Sequence, residues 1–231
     1  MNSTSFVDTL AELRFKDTFN PYSESCLDYD FDEAPAIRRE NLKLVLDAAL
    51  EHKADSFWIA RDLGYRGGRR TGLALTDEVH LSDHSGLYGE LPLCRATKGS
   101  AFSERTASVI WQTLKRINRP VFLWNVFPLH PHEPNDPHSN RCHTRSEREA
   151  CRPLLNWLLE VLKPQVVVAI GRDAQLALGD LGIAATQVRH PSYGGQAEFV
   201  AGIERLYELP DQDHADSQLT MFPSERGKRS E

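Results

Sequence analysis

The sequence predicts an α/β fold: a three-layer α/β/α arrangement around a central, mainly parallel four-stranded sheet. Two observations carry this. Short strand-like runs recur at SFWIA (56–60), PVFLWN (120–125), QVVVAIG (165–171) and ATQVRH (185–190), the first three continuously apolar. Stretches with helical periodicity separate them. Strands that are apolar without alternation are buried on both faces, which is the pattern of a parallel sheet covered by helices on each side.

Taken in order, residues 36–51 carry Ile37, Leu42, Val45, Leu46 and Ala49 at helical spacing. The first strand follows and runs into a glycine-rich stretch. Residues 103–117 form an amphipathic helix with Ser103 as its N-cap, leading into the second strand. A loop rich in Pro and His extends from Val126 to His143. Thr144-x-x-Glu147 is a capping box that opens a helix over 144–162, with Leu154, Leu155, Leu158, Leu159 and Leu162 on its apolar face. The third strand, a short helix at 172–182 and the fourth strand complete the pattern. In such sheets ligands bind at the carboxyl ends of strands. The loops at 61–72, 126–143 and 190–196, each following a strand, are therefore the candidates for function.

A chain of 231 residues, 40% apolar and 26% charged, can close one sizeable core. One domain is expected over 1–209, with a polar, aperiodic and flexible tail over 210–231. No run approaches the ~18 apolar residues of a membrane span, and the N-terminus lacks the pattern of a signal peptide. A cytoplasmic protein without membrane contact is expected. Cys26, Cys94, Cys142 and Cys151 form no CxxC pair, so neither a disulfide framework nor a zinc knuckle is spelled out. His130, His132, His138 and His143 invite a metal reading, but prolines interrupt their spacing, and packing or DNA contact is the expectation.

The net charge of −6 argues against a protein that coats nucleic acid nonspecifically. Charge is nevertheless segregated. Acidic residues gather at Asp28, Asp30, Asp32 and Glu33, and again at Asp211, Asp213 and Asp216, whereas Arg61, Arg66, Arg69 and Arg70 crowd a stretch opposed only by Asp62.

Three fragments in this order carry a resemblance: the loop ARDLGYRGGRRTGLALT (60–76), the strand end Phe122-Leu123-Trp124-Asn125, and His190-Pro191-Ser192. Together they resemble the uracil-DNA glycosylase superfamily, over residues 36–206 and particularly its iron-sulfur branch. The resemblance implies an enzyme that hydrolyses the N-glycosidic bond of deoxyuridine in DNA. Asp62 and His190 would be catalytic. Asn125 would read the base, with Gly64, Tyr65 and Leu75 around it. Arg66, Arg69, Arg70, Ser192, Tyr193 and Gly194 would contact DNA.

The residue types suit that chemistry. Breaking the bond builds positive charge on the sugar and negative charge on the departing base, so an anion near the sugar and a donor at the base oxygen both help. One amide offers the acceptor and donor needed for the N3–H and O4 edge of uracil. The base must leave the stack to be reached. No lysine stands in the three motifs to form a Schiff base, so a monofunctional enzyme is expected, a monomer whose partners are uracil-containing DNA and the abasic product.

The sequence also departs from the family. Arg61 stands where a polar or acidic residue is usual, Gly64 where the classical branch has the tyrosine that excludes thymine, and Leu75 where a phenylalanine stacks on uracil. Tyr193-Gly194 replaces a Pro-Leu wedge. Of the four cluster cysteines, Cys151 has a counterpart position, Leu129 lies near another, and the N-terminal pair is reduced to Cys26. No metal and no cofactor are expected. Three alternatives stay open: a glycosylase for another deaminated base such as hypoxanthine or xanthine, a module that binds damaged or abasic DNA without cleaving, and a metal-dependent hydrolase built on the histidine loop.

Overall fold

A computed structural model describes residues 1–117 and 119–210. Beyond Pro210, the tail anticipated from the sequence lies outside the described residues. The central sheet is formed by β2 (Ser56–Asp62), β3 (Val121–Phe127), β5 (Val166–Ile170) and β6 (Thr186–Val188). Its order is β3-β2-β5-β6, and every pairing is parallel. Helices cover both faces, giving the expected three-layer α/β/α architecture.

Alternate residues of each strand feed separate apolar clusters, as the two-residue period of a strand requires. On one face Phe57, Ile59, Phe122 and Trp124 pack with α2 (Ala34–Glu51), α6 (Arg145–Leu162) and α7 (Arg172–Asp180) through Leu46, Leu155 and Leu178. On the other, Trp58, Ala60, Val121 and Leu123 meet α5 (Arg105–Ile117) and α8 (Gln196–Tyr207) through Ile110, Phe199 and Ile203. Trp58 also donates from its indole nitrogen to the Tyr207 hydroxyl at 2.8 Å, which satisfies the buried N–H.

Several boundaries move from the sequence reading. The strand β2 continues through Arg61 to Asp62, and β3 continues to Phe127, so both carry backbone order into segments expected to be loop. The helix α5 starts at Arg105 rather than after Ser103. The N-terminal segment, unassigned from sequence, forms α1 (Ser3–Glu12), capped by Asn2, and packs Phe6, Val7 and Leu10 into the first cluster. A two-residue antiparallel pair, β1 (Thr18–Phe19) with β4 (His130–Pro131), joins this segment to the histidine loop. Strands this short leave no periodicity to read. Two further short helices, α3 (Gly68–Thr71) and α4 (Leu81–Gly86), follow β2. Among the described residues no helix is long and apolar enough to cross a membrane.

The capping box of α6 is present: Thr144 Oγ1 accepts from the Glu147 amide at 3.3 Å, and the Glu147 carboxylate accepts from the Thr144 amide at 2.6 Å. Glu147 also pairs with Arg141 at 2.6 and 2.9 Å, and Arg141 donates to the carbonyls of Lys16 and Asp17. One carboxylate thus joins the helix start, the end of the 126–143 loop and the N-terminal segment. Burial on its own would raise the pKa of Glu147, but Arg141 and the Thr144 donors outweigh it and hold the value at about 2, below the ordinary 4.5.

A depressed carboxylate pKa contributes stability that is present above the ordinary value and lost as pH falls toward the folded one. Denaturant titrations should show this contribution fading between pH 4.5 and about 2. Glu147→Gln should cost about 1–3 kcal/mol at neutral pH and flatten the acid dependence in that window. An unchanged acid limb in the variant would show that the loss comes from other groups.

Candidate active site

The parallel register between β2 and β3 sets Ala60 opposite Asn125 and Asp62 opposite Phe127, so Asp62 and Asn125 emerge at the same edge of the sheet. His190 follows β6 by two residues and reaches the same edge. A cavity of about 490 Å³ opens there, and Asp62, Asn125 and His190 all line it, together with Gly64, Leu75 and Ser192. The structure therefore brings the three principal residues of the sequence reading around one space.

The Asp62 side chain is 6% exposed, and both of its oxygens are engaged. Oδ1 accepts from Nδ1 of His143, and Oδ2 accepts from Nε of Arg61 at 2.5 Å. Arg61 continues to Asp173 on α7 at 2.6 Å. His143 itself is nearly buried, its side chain 4% exposed. The sequence reading placed His143 among loop histidines and missed this role. A histidine 81 residues away carries no local signal, and only the return of the 126–143 loop makes the pair.

Asn125 is buried, and its Oδ1 has no hydrogen-bond partner. An unpartnered buried amide oxygen costs roughly 1–3 kcal/mol. Such a group at a cavity wall calls for a ligand donor.

The His190 ring has a defined tautomer. Its Nδ1 accepts the Ser192 backbone N–H at 3.2 Å, with Ser192 Oγ at 2.8 Å, so the ring proton of the neutral form sits on Nε2. Burial, helped by Arg61 and Arg189, lowers its pKa to about 4, which keeps it neutral at physiological pH. Two glycines allow this placement. Gly171, at φ +89°, would bring an added Cβ to 3.1 Å from the His190 Cβ, and Gly195 would bring one to 2.2 Å from the His190 carbonyl oxygen. Neither was singled out from sequence for this packing. Tyr193, at φ +51° and 99% exposed, stands free on the rim with Gly194 after it.

The remaining expectations divide. Gly64 and half-buried Leu75 line the central cavity. Tyr65 does not; its side chain lines a neighbouring one. Arg69 requires correction as a DNA contact: it is buried, donates to the Pro137 carbonyl, lies 3.2 Å from His130 Nδ1 and packs over the Phe19 ring. Its charge holds the histidine loop onto the β2 loop. Arg70 is largely covered, 3.1 Å from Glu78, with its guanidinium over Tyr29. Of the three, Arg66 alone is exposed and forms no ion pair among the described residues. Glu104, also missed, lines the cavity. Burial, then the nearby Asp77, raises its pKa, with Arg66 partly offsetting them.

The four loop histidines do not converge on a metal. His130 is buried against Arg69, and burial with that charge lowers its pKa to about 3. Among the described residues, one trio has ligand spacing: Cys26 Sγ, Asp28 Oδ2 and His138 Nε2, with separations of 3.5 to 4.0 Å. It contains one cysteine, and Cys151 is buried in the apolar cluster around α6. The cysteines do not fit a four-thiolate cluster.

Comparisons agree with this architecture. The crystal structure of wild-type Pedobacter heparinus SMUG2 superposes with a TM-score of 0.56 at 13% identity, covering 95% of this chain and 98% of that one. No curated protein matches the chain. The profile of the uracil DNA glycosylase superfamily matches residues 87–206, which include Asn125 and His190. The chain belongs to the uracil DNA glycosylase superfamily.

Proposed function

We propose that this DNA glycosylase excises uracil from DNA by hydrolysis, with Asp62, Asn125 and His190 around the flipped-out nucleotide. The observation that carries the reading is the unpartnered Asn125 Oδ1 on the same cavity as a neutral histidine whose free proton is on Nε2. Asn125 Oδ1 would accept the uracil N3–H while Nδ2 donates to O4. Cytosine presents an acceptor at N3 and a donor at position 4, so it would meet like groups at both contacts.

His190 Nε2–H would donate to O2, where negative charge gathers as the glycosidic bond breaks, without desolvating a cation. Asp62 would oppose the positive charge on the sugar and direct water to C1′, leaving uracil and an abasic sugar. His143 and Arg61 hold the carboxylate in place. Gly64 and Leu75 would border the base, and Tyr193 would fill the gap left in the duplex, aided by Ser192 and Gly194 at the backbone. The motifs supply no lysine for a Schiff base, which supports a monofunctional reaction. We take the acting unit to be a monomer of one domain over residues 1–209.

The direct test incubates purified protein with single-lesion oligonucleotides carrying uracil, thymine, hypoxanthine or xanthine, followed by alkaline cleavage. Uracil release is expected. Release of hypoxanthine or xanthine without uracil would reassign the substrate, and binding without release would make the chain a recognition module.

Asp62→Asn should slow single-turnover release by orders of magnitude while leaving DNA affinity nearly unchanged, since the carboxylate acts mainly in the transition state. His143→Gln should cost less. Loss of one hydrogen bond to a charged group is worth about 1.5–3 kcal/mol, or roughly 10- to 100-fold in rate. A wild-type rate in the glutamine variant would remove His143 from the mechanism. The acid limb that belongs to His190, the one a His190→Gln variant lacks, should lie near pH 4. An acid limb near the unperturbed value of about 6.5 would contradict the neutral-donor role.

A further inference from the structure

Beside the central cavity lies a second one of about 220 Å³, lined by Tyr29, Tyr65, Arg66, Arg70, Phe102 and His138. We propose that it is a subsite for one unpaired nucleobase of the strand that carries the lesion, so that the protein holds two unstacked nucleotides at once. This rests on the reading that the chain acts on DNA.

The walls are aromatic and contiguous. The His138 ring stands 6.3 Å from that of Tyr29 and 6.4 Å from that of Tyr65, at 35° and 37° to them, and Phe102 is 40% exposed. Base–aromatic stacking is the general way proteins hold single strands, because every base has a π-face. The charges point the same way. Guanidinium groups already occupy ring faces: Arg66 lies 5.2 Å from the Tyr65 centroid and 5.9 Å from Phe102, and Arg70 lies 3.9 Å from Tyr29 and 5.4 Å from Phe102. An aromatic cavity furnished with two arginines repels an organic cation and suits a planar ring tethered to phosphate. Glu78 pairs with Arg70, whereas Arg66 is exposed and, though near Glu104, forms no ion pair among the described residues. Arg66 is thus the charge available to a phosphate at the mouth. Inside, the buried Tyr29 hydroxyl has no hydrogen-bond partner and could meet a polar edge of the base.

Position supplies the last step. Tyr65 directly follows Gly64, and Phe102 precedes Glu104 by two residues; Gly64 and Glu104 both line the central cavity. The two spaces flank the same loop and the same helix start. A strand with its lesion in the central cavity is therefore placed to offer a neighbouring nucleotide to the second cavity. Duplex DNA could not supply the second base without further unpairing, so the subsite favours single strands and frayed ends.

The test uses binding rather than base release. Single-stranded oligonucleotides with a tetrahydrofuran abasic analogue, and lesion-free thymidine strands, would be titrated against wild type, Phe102→Ala and Phe102→Trp, with 2-aminopurine walked along positions neighbouring the analogue. Quenching is expected at one neighbouring position. Phe102→Ala should abolish it and weaken single-strand affinity by about tenfold, near the low end of what one stacked base contributes. Phe102→Trp should restore both, which separates stacking from a folding defect, while duplex affinity changes little. Unchanged single-strand affinity in the alanine variant would overturn the subsite, as would an equal loss for duplex. If uracil release failed while the single-strand effects appeared, the substrate reading would fall and the subsite would stand.

Discussion

A carboxylate inside a cavity must be held by charge or hydrogen bonds, and Asp62 sets this requirement for the rest of the site. Taking a charge out of water without partners is costly. Asp62 is met from two directions. Arg61 turns from the adjacent strand position and anchors on Asp173 of α7, tying β2 to the helix beyond β5. His143 arrives from the far end of the long loop after β3. The course of that loop follows from this need. Its start is pinned to the N-terminal segment by the short pair of β1 with β4, its middle by buried Arg69, and its end by Arg141 and Glu147. Folding the loop down places an imidazole against Asp62, so the loop after β3, a candidate for function on its position alone, contributes through a residue that position did not single out.

The arginine-rich stretch shows how charge can mislead at the level of sequence. A cluster of cations after a strand suggests phosphate contacts, and in an acidic protein it draws attention. In three dimensions most of that charge is consumed internally: Arg61 by Asp62 and Asp173, Arg69 by the Pro137 carbonyl and the Phe19 ring, Arg70 by Glu78 and Tyr29. Apart from the Arg61–Asp62 and Arg70–Glu78 pairs, these interactions cross long stretches of chain, so spacing cannot reveal them. Within this stretch, only Arg66 is left exposed for a polyanion. Arg66 with its aromatic neighbours, and the exposed Tyr193 turn, suit local grip better than broad electrostatic coating.

The layer architecture was legible because it depends on local pattern: continuous apolar strands between amphipathic helices, and a capping box at Thr144 that forms as the residues suggest. The convergence of Asp62, Asn125 and His190 was legible too, since parallel strands deliver their carboxyl ends to one edge. What stayed hidden is what depends on tertiary contact. His143 and Glu104 are ordinary polar residues until long-range packing brings the first against Asp62 and the second to the cavity wall. Gly171 matters because another segment, the His190 turn, passes against it, and Gly195 because that turn folds back on its own start. The short β1–β4 pair has too few residues to show any period.

That His190 turn also bears on why a histidine, rather than a stronger cation, would suit the proposed reaction at this edge. Arg61 and Arg189 already place positive charge near the ring, and a buried imidazolium would add to it. The Ser192 backbone N–H then occupies Nδ1, leaving a single proton, on Nε2, for the cavity. Keeping the ring neutral costs nothing at physiological pH once its pKa lies near 4, and in the proposed reaction the donor would need no rearrangement as charge develops opposite it. The same arginines that depress the histidine also flank the carboxylate side of the cavity through Arg61. Arg61 therefore touches both halves of the site: it holds the Asp62 carboxylate, and it adds to the burial that keeps the His190 ring neutral.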